Sequence, residues 1–285
     1  MKPEQDKDEK VRQLCESLKQ GVTDMIASGK FKQWLDFQAK FHKYSFHNSM
    51  LIMIQRPSAS KVAGLHQWND RFGRSVCKGE KGIAIFAPIL VRKPPEDGRQ
   101  TDKSTWPQVL VGFKVVRVFD VAQTEGKPLP VIAEQVKGDS EEADQIAAGL
   151  LAYAREKSIR VTTEELNGPD GSFYPRDHLI KIQAGLPGNH RAITFTHEMA
   201  HALLWERYDD PAKVSRQQKE CEAEGVAYVV CKHFGLPVET HPFEYIATFT
   251  WDNPETLIAA GLRIQQTATR LIEVLSKTAR ESRVA

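Results

Sequence analysis

The chain is poor in cysteine and has no long apolar run. Its 285 residues include four cysteines, Cys15, Cys77, Cys221 and Cys231, and no two of them form a CxxC pair. A disulfide framework and a zinc ribbon are thereby excluded, and the four read as reduced thiols. Nothing approaches the roughly 18 uninterrupted apolar residues of a membrane span. The start, MKPEQDKDEK, lacks the apolar centre of a signal peptide. A soluble, cytoplasmic protein with no membrane partner is the expectation. Internal repeats and low-complexity tracts are also missing, and a composition of 41% hydrophobic and 27% charged residues is that of a globular protein.

What is present is unevenly spread. Residues 1 to 130 hold 22 Lys and Arg against 14 Asp and Glu, a charge of +8, whereas residues 131 to 285 hold 17 against 23, a charge of −6. The stretch EGKPLP at 125 to 130 offers a linker between them. Two domains with different partners follow, one over 1–130 and one over 131–285.

Residues 8 to 55 carry apolar positions at three- and four-residue spacing, Val11, Leu14 and Leu18, then Trp34, Phe37 and Phe41, which predicts helix up to Pro57. From Lys61 the runs VAGLHQW, GIAIFAPILV and VLVGFKVVRVFDV predict short strands, the last two separated by a polar loop at 93–107. The first domain is thus helices followed by a small antiparallel sheet. In the second, Asp139 and Ser140 cap a helix over EEADQIAAGLLAYAREK, SIRVT and HLIKI predict short strands, and helices are predicted at about 189–207, 213–234 and 254–281. The fold class is α+β, the second domain mostly helical with a small sheet.

The sharpest chemical feature is His197-Glu198-Met199-Ala200-His201. On a helix, residues four apart share a face, so both imidazoles reach one Zn²⁺ while Glu198 stands beside it as a base for water. Five such letters arise by chance on the order of once in fifty chains of this composition, so context must decide. The run AITFTHEMAHALL supplies the helix. The metzincin third ligand is excluded, because the glycine and histidine it needs are Leu204 and Arg207 here. The next helix reads KECEAEGVAYVV, with Glu220 placed 19 residues after His201, near the spacing of thermolysin-like gluzincins. Glu224 lies one turn further on the same face. One carboxylate would bind zinc and the other accept the second N–H of a ligand histidine, with Glu220 preferred as ligand and Glu224 as its support. Glu222 points elsewhere and His233 is expected to be exposed. His241 and Tyr245, in THPFEYIATFTW, are candidates to stabilise an oxyanion. The chemistry is metal-assisted hydrolysis, with a peptide or protein as default substrate.

Residues 31 to 87 carry nine Lys and Arg against three acidic residues, together with nine of the 24 aromatics. Basic groups mixed with rings suit single-stranded nucleic acid, where cations track phosphates and rings stack on unpaired bases. Trp34, Phe37 and Phe41 read as packing. Tyr44, Trp68 and Phe72 are expected to be exposed, and Tyr44, Asn48, Trp68, Arg71, Arg74, Lys78 and Lys81 are the candidate DNA contacts.

The segment YSFHNSMLIMIQRPSASKVAGLHQWNDRFGRSVCKGEKGIAIFAP, with FKVVRVFDVAQTEG, resembles the N-terminal single-stranded-DNA-binding domain of the ArdC antirestriction proteins. HLIKI, THEMAHAL and ECEAEGVAYVV resemble the zinc-metallopeptidase domain of the same family, related to the ImmA/IrrE peptidases. The resemblance spans about residues 30 to 275, and departs at YSFHNSM from the family's NPxTGxxYxGxN-type stretch. It implies a protein of a plasmid, phage or integrative element that coats entering single-stranded DNA against restriction. His197, His201 and Glu220 then match the ligands of Zn²⁺, and Glu198 the base. Two other functions fit the same residues: a DNA-activated protease that cleaves a repressor or a DNA-bound protein, and a DNA-coating protein whose zinc site is purely structural.

Overall fold

A computed structural model describes residues 2–93, 106–127, 139–238 and 253–282. Helices α1 (Lys2–Ser28), α2 (Phe31–Lys40) and α3 (Phe46–Gln55) come first. Strand β1 (Val62–Ala63), helix α4 (Leu65–Phe72) and strands β2 (Arg74–Val76), β3 (Ile83–Arg92), β4 (Gln108–Asp120) and β5 (Thr124–Gly126) follow. Then come α5 (Glu141–Glu156), β6 (Arg160–Glu164), β7 (Gly171–Tyr174), β8 (Leu179–Gln183), α6 (Gly188–Trp205), α7 (Arg216–His233) and α8 (Pro254–Ser282). The class is α+β, as the sequence implies. No described helix is long and apolar enough to cross a membrane.

The described chain forms two compact units, residues 1–21 with 50–129, and residues 22–49 with 130–285. Residues 22–49 pack with the second unit, and Tyr44 and Asn48 go with them.

The first unit is built on an antiparallel hairpin of β3 and β4, running from Ile83 opposite Val118 to Arg92 opposite Gln108, with one irregularity at Ile89/Leu90. β1 extends this sheet along the end of β4, and β2 pairs with β5. Branched residues at Ile83, Ile85 and Val118 fill its buried side. Asp120 is buried where the chain turns, and its carboxylate accepts from the backbone N–H groups of Ser60, Lys61 and Ala122 at 2.9–3.1 Å. The expected strand VAGLHQW is corrected: only Val62 and Ala63 are extended, and Leu65–Phe72 is helical. Gly64 starts that helix by accepting the Trp68 N–H at 3.0 Å, and Gly73, at φ 61°, ends it in the left-handed conformation that glycine adopts without a Cβ clash.

The second unit is arranged around α7. Every residue from Cys221 to Cys231 is buried, because α2, α6 and α8 all pack on this helix. A helix covered on all sides needs no single apolar stripe. The rings of α2 complete the core: Trp34 is fully buried, donates from Nε1 to Ser49 Oγ at 3.1 Å, and stands edge-on to Phe46 with centroids 5.0 Å apart. The small sheet has β8 at its centre, with β6 parallel on one side and β7 antiparallel on the other. β7 is an edge strand, and it runs beside α6.

Candidate metal centre

α6 places His197 and His201 one turn apart, and α7 brings Glu220 to meet them. The Nε2 atoms of the two histidines are 3.0 Å apart, and Glu220 Oε2 lies 3.3 Å from His197 Nε2 and 3.1 Å from His201 Nε2. These separations match the edges of a tetrahedron, which are about 3.3 Å for ligands 2.0–2.1 Å from a metal. The donor set fits: two imidazole nitrogens and a carboxylate, half-buried and converging, are the ligands a borderline-soft divalent ion takes. Burial alone would raise the Glu220 carboxyl, but hydrogen bonds from His197 and His201 outweigh it and hold the group well below the usual carboxylate range.

Glu198 is the next residue on α6 and is only 6% exposed. Burial raises its carboxyl to about 7, the nearby Glu220 charge adds to this, and His197 and the Phe173 backbone N–H act against it. A carboxyl poised near neutrality takes and returns protons at physiological pH. Gly171 of β7 makes the space for it. A Cβ there would fall 2.8 Å from Glu198 Cγ and 3.0 Å from its Oε1.

The three ligand candidates and Glu198 share a cleft of about 500 Å³ with β7 residues Ser172 and Phe173 on one wall and Trp205, Tyr208, Arg216 and Lys219 on the other. Lys219 Nζ lies over the Trp205 ring, 5.3 Å from its centroid. Behind the cleft, Glu222 is fully buried and held bidentately by Arg263 at 2.8 and 2.6 Å, with further bonds from Gln218 and Tyr208 at 2.8 and 3.3 Å. Glu222 therefore faces away from the histidines, as its helical position implies. Glu224 is also buried. His241 and Tyr245 lie outside the described residues. Gly171, Phe173, Trp205 and Tyr208 carry no sequence signal that marks them; only the fold brings them to the motif.

His233 corrects an expectation of exposure. It is part-buried, its ring packs edge-on to His42 with centroids 4.4 Å apart, and its Nδ1 contacts the Ala39 carbonyl at 3.2 Å.

The candidate DNA contacts divide by exposure. Arg71, Lys78 and Lys81 are exposed on the first unit. Trp68 is not: it is 1% exposed, and its Nε1 donates to the Phe119 carbonyl at 2.8 Å, so the ring is an anchor of the sheet and cannot stack on a base. Arg74 is committed inward as well. It donates to Thr124 Oγ1 and the Thr124 carbonyl at 2.7 Å each, and to the carbonyls of Gly126 and Lys127, tying β2 to β5. Phe72 is 41% exposed, as expected. Tyr44 is half-buried in the second unit, edge-on to Phe41 at 6.0 Å, and Asn48 is half-buried on α3.

The model of the N-terminal domain of anti-restriction factor ArdC matches residues 5–119. Two crystal structures of the antirestriction ArdC protein from plasmid R388 are similar to this one. The metal-free structure has a TM-score of 0.54 at 17% identity, covering 91% of this chain and 98% of that one. The Mn(II)-bound structure has a TM-score of 0.53 at 16% identity, covering 92% and 97%. At such identities the likeness establishes a shared fold. An uncharacterised protein of Bacillus anthracis, pXO2-81, is 27% identical over 282 residues, covering 85% of this chain and 47% of that protein. The chain spans about half the length of that curated relative.

Proposed function

We propose, from the premise that residues 5–119 are an ArdC N-terminal domain, that this protein is a single-stranded-DNA-binding antirestriction factor with a zinc metallopeptidase as its second unit. One observation carries the reading: His197, His201 and Glu220 converge within a cleft that also holds the buried Glu198. Two imidazoles and one carboxylate suit Zn²⁺ and leave a position open.

When bound there, zinc supplies Lewis-acid polarisation of water and of a substrate carbonyl. The remaining work belongs to the chain. Glu198 takes the proton of the attacking water and delivers it to the leaving amine. Its burial raises its proton affinity in the metal-free chain. Arg216 and Lys219 line the cleft as hydrogen-bond donors for the peptide or its developing charge, while the Tyr208 hydroxyl is given to Glu222. The substrate class is a polypeptide.

The DNA half of the proposal rests on the family match and on the charge of +8 in residues 1–130, with Arg71, Lys78 and Lys81 free of burial. Cations so placed track a phosphate backbone without reading sequence.

The test is elemental mass spectrometry of the purified full chain together with binding to single-stranded and duplex DNA across a salt series. Near-stoichiometric zinc and a preference for single strands support the reading. Protein that takes up no divalent metal, or that binds duplex as well as single strand, overturns the corresponding half. A Glu198→Gln chain that still protects DNA from restriction would assign protection to coating and not to proteolysis.

A further inference from the structure

A second cavity, of about 260 Å³, lies in the same unit as the metal centre and is separate from its cleft. Its floor is made by Tyr153, Leu203 and Thr267, all buried, and its rim by the exposed Lys157, Arg207 and Arg270, with Glu206 beside them. Three cations around one small bowl stand out in a half of the chain whose net charge is −6.

Among the described residues none of these three makes a direct ion pair, although the charges of Glu156 and Glu273 act on Arg270. Arg191, Lys232 and Arg263 are each bound to a carboxylate. Arg207 instead donates to the neutral Gln266 Oε1 at 2.8 Å. Arg270 donates to the Tyr153 hydroxyl at 3.3 Å and lies 5.7 Å over that ring. A guanidinium has five donors, so each keeps most of its capacity for a further acceptor. Below them, Thr267 is fully buried and its Oγ1 has no hydrogen-bond partner. That hydroxyl is closed to a molecule the size of water, so it backs the bowl without offering a bond to what fills it, and the cations of the rim do the binding.

We infer that this cavity is a binding site for a phosphomonoester. A monoester phosphate carries close to two charges and three terminal oxygens, which three cations satisfy, whereas a backbone diester offers one charge and two free oxygens. Arginine pairs provide the bidentate geometry that phosphate accepts. The volume admits the phosphate and the first atoms of what bears it. Leu203 belongs to α6, and Arg207 lies two residues beyond that helix's last residue, so the occupied site would lie next in the chain to Trp205 and Tyr208 of the metal cleft.

The experiment uses the full chain and measures thermal midpoint and calorimetric affinity with inorganic phosphate, AMP, and a dinucleotide that has no terminal phosphate, all at matched ionic strength. Phosphate and AMP should each bind and raise the midpoint, and the dinucleotide should do neither. AMP binding tighter than phosphate identifies a nucleotide-borne ester, and equal affinity identifies free phosphate; both keep the site. Arg207→Gln and Arg270→Gln, at exposed positions, should each weaken binding about tenfold or more. Arg191→Gln, outside the cavity, should leave it unchanged. Equal binding of the dinucleotide, a response reproduced by chloride, or an undiminished response in the Arg207→Gln/Arg270→Gln chain would overturn the assignment.

Discussion

Gly171 and Glu198 touch across two elements that the sequence separates by 27 positions. The α-carbon of the glycine faces the carboxylic side chain so closely that any Cβ would come within 2.8 Å of Glu198 Cγ. The edge strand thereby fixes where the proposed base stands.

Gly171→Ala is accordingly expected to displace Glu198 without touching the three ligand candidates. Zinc content should stay near that of the parent chain while peptide hydrolysis falls, on the order of 100-fold if the carboxyl shifts by about an ångström. Metal analysis beside a peptidase assay checks this, and undiminished hydrolysis in a folded variant would remove the positioning role.

The metal-free chain should show a pH signature of Glu198. Its folded carboxyl sits at about 7, above the ordinary value of 4.5, so the folded state holds this proton more tightly than the unfolded one. The stability that results is fully present below about 4.5 and is lost as pH rises towards 7, roughly 3 kcal/mol across that window. Glutamine does not titrate. The thermal midpoint of metal-free Glu198→Gln, relative to the parent, should therefore rise between pH 5 and pH 8, and a constant difference would contradict the raised value. With zinc restored, the same variant should keep its metal and lose hydrolysis.

The ligand set separates from its support by metal content. His197→Ala, His201→Ala and Glu220→Ala should each nearly empty the site and lower the zinc-dependent part of the thermal stability. Glu224→Ala should retain the metal with affinity or activity reduced roughly 10- to 100-fold. A metal-free Glu224 variant beside a metal-replete Glu220 variant would shift the assignment by one helical turn.

Trp68→Ala should unfold the first unit before it tests any role in DNA binding. Removing a fully buried indole costs about 3–5 kcal/mol, and the Phe119 carbonyl loses its donor as well. Circular dichroism should show a lowered or lost transition. Changing Arg71, Lys78 or Lys81, all exposed, should leave that transition in place and flatten the salt dependence of single-strand binding by about 0.7 per phosphate contact removed. A folded Trp68→Ala chain with weakened binding would return that ring to the DNA surface.

The motif on α6 was legible because its geometry is local: four residues on a helix bring two imidazoles together whatever surrounds them. Glu220 could be reached from helix periodicity and spacing. Gly171 could not, since GSFY is a four-residue strand without alternation, and its partner lies on another element. Trp68 stands in a polar stretch, and nothing local marks it as core. Its burial depends on a carbonyl 51 residues away. The few apolar residues of α4 are too short a sample to separate a helical period from a strand period, and the two glycines that bound it decide the matter.

α7 is enclosed on every side, and this makes its two sulfurs silent. Cys221 and Cys231 have no exposed surface, and burial pushes the Cys231 thiol up to about 12, so neither offers a thiolate to a reagent at neutral pH. Cys15 and Cys77 are only partly covered. Glu220 hangs from the first turns of the same helix, next to Cys221 in the chain. A thiol that begins to react beyond the first two therefore reports that the helix carrying Glu220 has lost its cover.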